Sequence, residues 1–342
     1  MKKKKENKIE KRISFYKDFM LGLSRREIKE SKLIDNWNKE KKKSFFEAGL
    51  YVHIPFCTKV CSFCDCYTGL YRKDLLDSYL DTLHEQINNF NEVFKDFLFS
   101  SLYFGGGTPS ILSDFQLENL LSFLFSNFRL EKTHFSFETT PVLLSIEKIK
   151  ILKKFHINRI TMGVQSFDEK VLRKNNRVYY NFQKIKRMVD LLRSNDIRVN
   201  IELIKGLAFQ DIKSYMNDLK LLEELDPDQI NIYDLIVNEL TLNYGTKSNI
   251  YYDLSRSKEI EKREKSIFKK YKKTNIGEMI KNEKSKNHQI YNSRFQNHSL
   301  LGLGDGSVSK INKENIYLTS FEKGKISYYK TKKIFNNYSE LV

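Results

Sequence analysis

The sequence predicts an α/β fold: an open, partial (β/α)6 barrel of the TIM type, with a helical N-terminal prefix and a small C-terminal extension. Three observations carry that prediction. Short β-rich segments alternate with amphipathic helical ones, there are six such β segments, and the four prolines fall only at segment edges. Alternating strands and helices imply parallel β/α units joined by right-handed crossovers. Six strands are too few for the eight that close a barrel.

In order along the chain, residues 1–48 form a basic prefix in which Ile9, Ile13, Tyr16, Met20 and Leu23 suit one face of an amphipathic helix. β-rich segments follow at about 50–54, 101–104, 133–138, 158–163, 197–204 and 229–234. Helical patterns lie between them at about 74–94, 114–126, 145–155, 181–194 and 211–224. In the fourth, Ile185, Met188, Val189 and Leu192 repeat at i, i+3, i+4 and i+7, the stripe that faces a core. Pro55, Pro109, Pro141 and Pro227 punctuate the strand ends and loops, since proline is poor inside a central strand. From about 237 the alternation stops. Residues 255–273 read as a charged helix and 287–342 as short strands and turns. The expected organisation is therefore prefix 1–48, core 49–238 and a lysine-rich C-terminal region 239–342.

The chain has 342 residues, 40% of them hydrophobic and 13% aromatic, enough to bury a substantial core. Mean hydropathy is −0.54 and no apolar run approaches the roughly 18 residues of a membrane span. Met1-Lys2-Lys3-Lys4-Lys5 leads into no apolar stretch, so no export signal is expected and the protein is assigned to the cytoplasm. Of the net charge of +17, residues 1–50 carry +8 and residues 258–286 carry +6, leaving +3 elsewhere. Such charge steers anions. Lysine is abundant throughout and no stretch resembles an RNA-binding module, so nucleic acid is not an expected partner.

Chemistry concentrates in one loop. All four cysteines, Cys57, Cys61, Cys64 and Cys66, lie directly after the first β segment. Thiolates are soft ligands for zinc or iron–sulfur clusters. Zinc knuckles usually pair two CxxC units across a longer loop, whereas Cys57, Cys61 and Cys64 share one loop at x3 and x2 spacing. Three thiolates at a barrel mouth suit a [4Fe–4S] cluster with one iron left open. Gly105-Gly106-Gly107-Thr108 lacks the lysine of a phosphate-binding loop, so it reads as close backbone approach to some other ligand. Glu138, Gln165 and Glu202 are expected at or just past the ends of the third, fourth and fifth β segments, where β/α barrels keep their chemistry. His53 reads as a packing residue, and Gly302-x-Gly304-x-Gly306 as a turn.

The CxxxCxxC loop resembles the signature of the radical S-adenosylmethionine (SAM) superfamily. Tyr51-Val52-His53-Ile54-Pro55-Phe56-Cys57 is similar to the branch containing oxygen-independent coproporphyrinogen III oxidase and the radical-SAM haem chaperone. Further matches follow in family order at 105–109, 137–141, 158–167, 200–207, 227–233 and, more weakly, 302–306. The resemblance implies that Cys57, Cys61 and Cys64 hold the cluster and that its open iron binds SAM. Cleavage of that SAM yields a 5′-deoxyadenosyl radical. In the resembling oxidase, positions matching Tyr51, Gly106 and Glu138 contact the cluster-bound SAM. Those matching Phe63, Gly107, Thr108, Gln165, Arg177, Glu202, Ile236 and Val308 contact a second SAM. Glu202 stands where an aspartate is more usual. Cys66 has counterparts in the oxidase, while the chaperone motif has a non-cysteine aromatic there.

By this resemblance the protein is a radical SAM oxidoreductase of porphyrin biosynthesis. It would decarboxylate a coproporphyrinogen propionate, with Arg12, Arg25, Arg26 and Arg72 as candidate anchors and flavodoxin or ferredoxin as electron donor. A haem-binding chaperone on the same core is the alternative, followed by a SAM-dependent methyltransferase or a haem-opening relative, and last by an RNA-modifying enzyme. Departures concern the substrate side, and one is the lysine-rich stretch 258–286, unlike the usual C-terminal domain. The usual Gly-Leu-Pro-Gly-Gln reads Gly206-Leu207-Ala208-Phe209-Gln210, and the oxidase's N-terminal substrate segment has no match in 1–48.

Overall fold

The computed structural model describes residues 24–43, 46–236, 241, 254, 257–274, 278–287, 298–311, 315–322 and 324–331. The helix expected through Ile9–Leu23 lies outside these residues. The described chain opens with β1 (Ser24–Ile28) and α1 (Glu30–Lys41). Then come β2 (Ala48–Ile54), the short β3 (Phe56–Cys57) and β4 (Gly69–Leu70), and α2 (Lys73–Phe94). Next are β5 (Leu98–Phe99), β6 (Ser101–Gly106), a 3-10 turn at Pro109–Ile111 and α3 (Asp114–Asn127). β7 (Arg129–Leu130), β8 (Phe135–Thr139), α4 (Ile146–Lys154), β9 (Arg159–Gln165) and α5 (Glu169–Lys174) follow. The alternation ends with α6 (Phe182–Ser194), β10 (Arg198–Lys205), α7 (Ile212–Leu225) and β11 (Gln229–Asp234). Beyond it lie α8 (Lys258–Phe268), β12 (Lys272–Lys273), β13 (Met279–Ile280), β14 (Ser299–Leu303), β15 (Val308–Ile311), β16 (Asn315–Glu322) and β17 (Lys325–Thr331).

Local chemistry explains the boundaries. Ser113, Ser145, Asp168, Asn181 and Asp211 each accept a backbone N–H of the first turn of the helix they precede, which satisfies a donor that would otherwise have no partner. α7 stops at Asp226, left-handed at φ 45°, immediately before Pro227. Ile185, Val189 and Leu192 of α6 are buried, as their spacing predicts.

The six predicted strands pair in parallel in the order β2-β6-β8-β9-β10-β11. The sheet is open, and it is larger than the sequence implies. β14 adds a seventh parallel strand beside β2, with Leu301 opposite Leu50 and Gly302 opposite Tyr51. β15, β16, β17 and β1 continue outward in antiparallel fashion, and β13 and β12 extend the other edge. Flanked on both edges and covered on both faces, β2 buries all seven of its residues, the pattern of a central parallel strand. Under it, Phe94, Phe97, Phe99 and Phe128 interlock, with ring centroids 4.9 to 5.8 Å apart.

Because Leu301 is fully buried against the first core strand, Leu301→Ala is expected to cost about 2–5 kcal/mol. Urea unfolding followed by far-UV circular dichroism and by the single tryptophan, the buried Trp37, should show both transitions shifting together. A tryptophan transition that stayed in place would separate the C-terminal strands from the core.

Candidate functional site

The C-terminal ends of the parallel strands open onto a cavity of about 340 Å³, within the size range of small-molecule sites. Cys57, Cys61, Cys64 and Cys66 all line it. β3 and β4 bracket their loop: Gly69 N donates to Pro55 O and Tyr71 N to Cys57 O, both at 2.8 Å. The loop is tied to the turn after α5 as well. Asn176 Nδ2 donates to Val60 O (2.7 Å), and Ser62 N donates to Asn175 O (3.0 Å).

No disulfide links the four thiols. Cys57 Sγ lies 3.2 Å from both Thr108 Oγ1 and Thr68 Oγ1. Burial, helped by the neighbouring Cys64, pushes its thiol up to about 11, which the two threonine hydroxyls partly offset. Arg177 Nη1 reaches Cys61 Sγ at 3.3 Å, and its Nη2 donates to Gly163 O. Among the described residues, no three His, Cys, Asp or Glu side chains converge on a single metal ion. All four thiols line one shared space.

The glycine run ends β6. Gly106 has φ +108°, and a Cβ there would stand 2.8 Å from His53 Nε2, so only glycine lets the strand end turn at this point. His53 itself is buried in β2. It is bonded to Tyr51 Oη through Nδ1 (2.8 Å) and to Tyr67 O through Nε2 (2.9 Å). Burial lowers it to about 4, so the ring is neutral, and facing a carbonyl oxygen assigns its proton to Nε2.

Deeper in the cavity, Tyr103 Oη donates to Glu138 Oε1 at 2.6 Å. Burial raises Glu138 to about 7, reinforced by Glu202 and eased by Tyr103, the Gly106 amide and Arg159. Burial also raises Glu202, against the pull of Arg159, Arg177 and the Tyr233 hydroxyl at 3.4 Å. Arg159, only 3% exposed, is held by Gln229 Oε1 (2.6 and 3.0 Å) and Thr161 Oγ1 (2.9 Å). Between β9 and β10 the register slips after Glu202. That bulge gives Gln165 a left-handed φ of 71°, and it leaves the buried Gln165 Oε1 at the cavity with no hydrogen-bond partner. Asp218 fixes the loop that follows, accepting from Ser166 Oγ (2.8 Å), Phe167 N (2.6 Å) and Gln210 Nε2 (3.1 Å).

Phe63, Gly106, Gly107, Thr108, Glu138, Gln165, Arg177, Glu202 and Ile236 therefore share one cavity wall with Cys57, Cys61 and Cys64. Two predicted positions do not. Tyr51 is buried on the inner face of the sheet against Tyr103 and Leu300 without lining the cavity, and Val308 is buried on β15 with its backbone against Gly302. Glu202 sits inside β10 rather than at its end, and it reaches the cavity from the third strand position before Lys205. Arg72 pairs with Asp74 on the surface (2.6 Å), Arg25 and Arg26 lie on the edge strand β1, and Arg12 is outside the described residues. Sequence reasoning missed Thr68, Asn175, Asn176, Asp218 and the support from Tyr103. Each acts through a partner 11 to 116 positions away, and only Tyr103, inside a predicted strand and directly before the glycine run, carried a local signal.

Residues 51–219 match the family model described as the Radical SAM superfamily. The chain is 34% identical over 193 residues to the heme chaperone HemW of Lactococcus lactis subsp. lactis, covering 56% of this chain and 50% of that protein. It is 35% identical over 190 residues to the oxygen-independent coproporphyrinogen III oxidase of Salmonella typhimurium, covering 54% and 41% respectively. Thus the chain spans about half the length of the curated relatives it matches. Its fold overlays that of the coproporphyrinogen III oxidase of Escherichia coli with a TM-score of 0.75, at 23% identity, over 89% of this chain and 75% of the other. The radical SAM family implies a [4Fe–4S] cluster and SAM, and the residues present fit both. Soft thiols lining one space suit a polynuclear cluster, while an unsatisfied buried amide oxygen and two half-buried carboxyls face the space beside them. Residues 51–219 thus carry a radical SAM domain, and the chain is similar there to the branch of the oxygen-independent coproporphyrinogen III oxidases and heme chaperones.

Proposed function

We propose that this protein is a radical SAM enzyme acting on a tetrapyrrole, in the manner of a coproporphyrinogen III oxidase, with its core at 49–238 carrying the chemistry. The observation that carries this reading is the sharing of one cavity by the three thiols of the CxxxCxxC loop, the glycine run, Glu138 and Gln165. Cys57, Cys61 and Cys64 would hold the cluster. When bound, the cluster and SAM together supply reductive cleavage of SAM and a radical that takes hydrogen from the substrate. The chain's own residues orient and enclose. Gly106 and Gly107 bring backbone close to the ligand, and Glu138 and Glu202 offer carboxylates to the ammonium and sulfonium charges of SAM. Gln165 and its strained backbone present an acceptor oxygen.

A second SAM is part of the proposal. Phe63, Thr108, Gln165, Glu202 and Ile236 suit it, whereas Arg177 is already engaged with Cys61 and Gly163. At the rim Val142, Tyr233 and Ile236 are each more than 40% exposed, an apolar mouth that suits the face of a tetrapyrrole. Flavodoxin or ferredoxin in a reducing cytoplasm is the proposed electron source. The heme chaperone is the alternative reading, supported by 34% identity to HemW of Lactococcus lactis subsp. lactis beside the 35% to the oxidase.

The deciding experiment is anaerobic. The reconstituted protein is given SAM and reductant, with and without coproporphyrinogen III, and products are read by mass spectrometry. Substrate-dependent 5′-deoxyadenosine with loss of two CO2 is expected. A stable haem complex without porphyrin conversion selects the chaperone, and methylated or ring-opened haem selects the relatives that donate methyl groups or open the ring. Cys61→Ala is expected to abolish the brown absorbance near ~400 nm together with bound iron and sulfide, since the thiolates are the cluster ligands. Unchanged iron would remove Cys61 from that set.

A pH dependence follows from Glu138, whose folded-state carboxyl titrates at about 7 against an ordinary 4.5. The folded, ligand-free chain holds this proton more tightly than the unfolded chain. The stability contributed is full below the unfolded value and is lost as pH rises towards 7. Glu138→Gln should therefore stabilise the ligand-free protein at pH 8, by roughly 1–3 kcal/mol, and leave it near the parent at pH 4. Urea midpoints at the two pH values check this.

A further inference from the structure

The turn Gly304-Asp305-Gly306 between β14 and β15 lines no part of the cavity, yet it is bonded to the far end of the cysteine loop. Tyr67 Oη donates to Asp305 Oδ2 at 2.7 Å, while Phe321 N donates to Asp305 Oδ1 at 3.0 Å, so both carboxylate oxygens are used. The turn is held from behind: Gly304 N donates to Gln86 Oε1 (2.7 Å) and Gly306 N to Thr319 O (3.0 Å). Gly306 has φ +83°, and a Cβ there would stand 2.7 Å from Tyr67 Cγ, so the tyrosine ring is seated directly on the turn. From Tyr67 two connections run into the site. Its carbonyl accepts from His53 Nε2 (2.9 Å), whose other nitrogen meets Tyr51 Oη. The next residue, Thr68, donates to Cys57 Sγ at 3.2 Å.

We infer that Tyr67 and Asp305 are positioning residues: they latch the cysteine loop to the C-terminal strands and hold its thiols in the arrangement that takes up the cluster. The inference rests on the cluster reading above. Beyond β3 and β4 the loop contains no strand or helix, so its order depends on the bonds that tie it down. A phenol-to-carboxylate bond at 2.7 Å is among the stronger of these. The latch makes β14, β15 and β16 part of the site's support, although none of their described residues lines the cavity.

The test compares Asp305→Ala, Tyr67→Phe and Asp305→Asn in the full chain. The asparagine keeps a carbonyl for Phe321 N and an amide that can donate to the tyrosine oxygen, so it is the conservative rescue. In the metal-free, reduced protein, alkylation of Cys57 and Cys64 by iodoacetamide is mapped by mass spectrometry. Asp305→Ala and Tyr67→Phe are expected to raise the rate about tenfold, and Asp305→Asn should stay within about twofold of the parent. In the reconstituted protein, loss of the ~400 nm absorbance to a chelator should quicken by the same factor in the same two variants, with a changed electron paramagnetic resonance signal of the reduced cluster.

Parent-like alkylation and iron release in Asp305→Ala and Tyr67→Phe would overturn the latch. So would an asparagine variant as impaired as the alanine one with an equally lowered unfolding midpoint, because the carboxylate would then support the fold alone. If the parent itself takes up no iron or sulfide, the cluster reading fails, and the alkylation rates still decide the latch.

Discussion

The structure depends on the complete burial of one strand. β2 pairs with β14 on one edge and β6 on the other, and none of its residues is more than slightly exposed. A strand so enclosed cannot slip its register, because a one-residue shift would reverse every side chain. Its C-terminal end is therefore a fixed point, and Pro55, Phe56 and Cys57 leave from it. Everything proposed for the cysteine loop inherits that position. The same strand buries His53 as a neutral ring, which spans from Tyr51 to the loop carbonyl of Tyr67 without bringing a charge into the core.

The cavity is electrostatically unbalanced by itself. Two carboxyls, Glu138 and Glu202, are pushed upward by burial, and Arg159, joined at Glu202 by Arg177, relieves them only in part. Burying ionised carboxylates costs free energy unless a countercharge arrives. A cationic ligand would provide it, as the sulfonium and ammonium groups of SAM do. Strain is concentrated in the same place, with Gln165 left-handed at a bulge and its amide oxygen unsatisfied. Such features persist when surrounding contacts over-determine them. Asp218 is the contact that does so, tying the loops after β9 and β10 to α7.

Much of this was legible in the residues. Ile185, Val189 and Leu192 announce a helix face by spacing, Ser113 and Asp211 announce its start, and Pro55 and Pro109 announce strand ends. These are local signals, readable because periodicity and capping involve neighbours a few positions apart. The thiol triplet and the glycine run are equally local. Glu202 was read at a strand end and lies inside β10, because a hydrophobic pattern marks a strand's existence better than its boundary. Val308 and Tyr51 were grouped with the cavity by motif order alone. Neither lines it: Tyr51 shares the inner face of the sheet with Tyr103 but is covered by packing against Tyr103 and Leu300, and the backbone of Val308 lies against Gly302.

The residues alone give the order of β/α units, an open, partial barrel of six strands and the single loop that concentrates the thiols. Three-dimensional packing is needed to bring β14 into the sheet beside β2, to engage Arg177 with Cys61 and Gly163, and to set Asp305 against Tyr67 from 238 positions away. The reason is physical. Periodicity and turn chemistry are set by the nearest residues, whereas strand pairing and buried polar bonds are set by which distant segments the core brings together, and no local pattern records that choice.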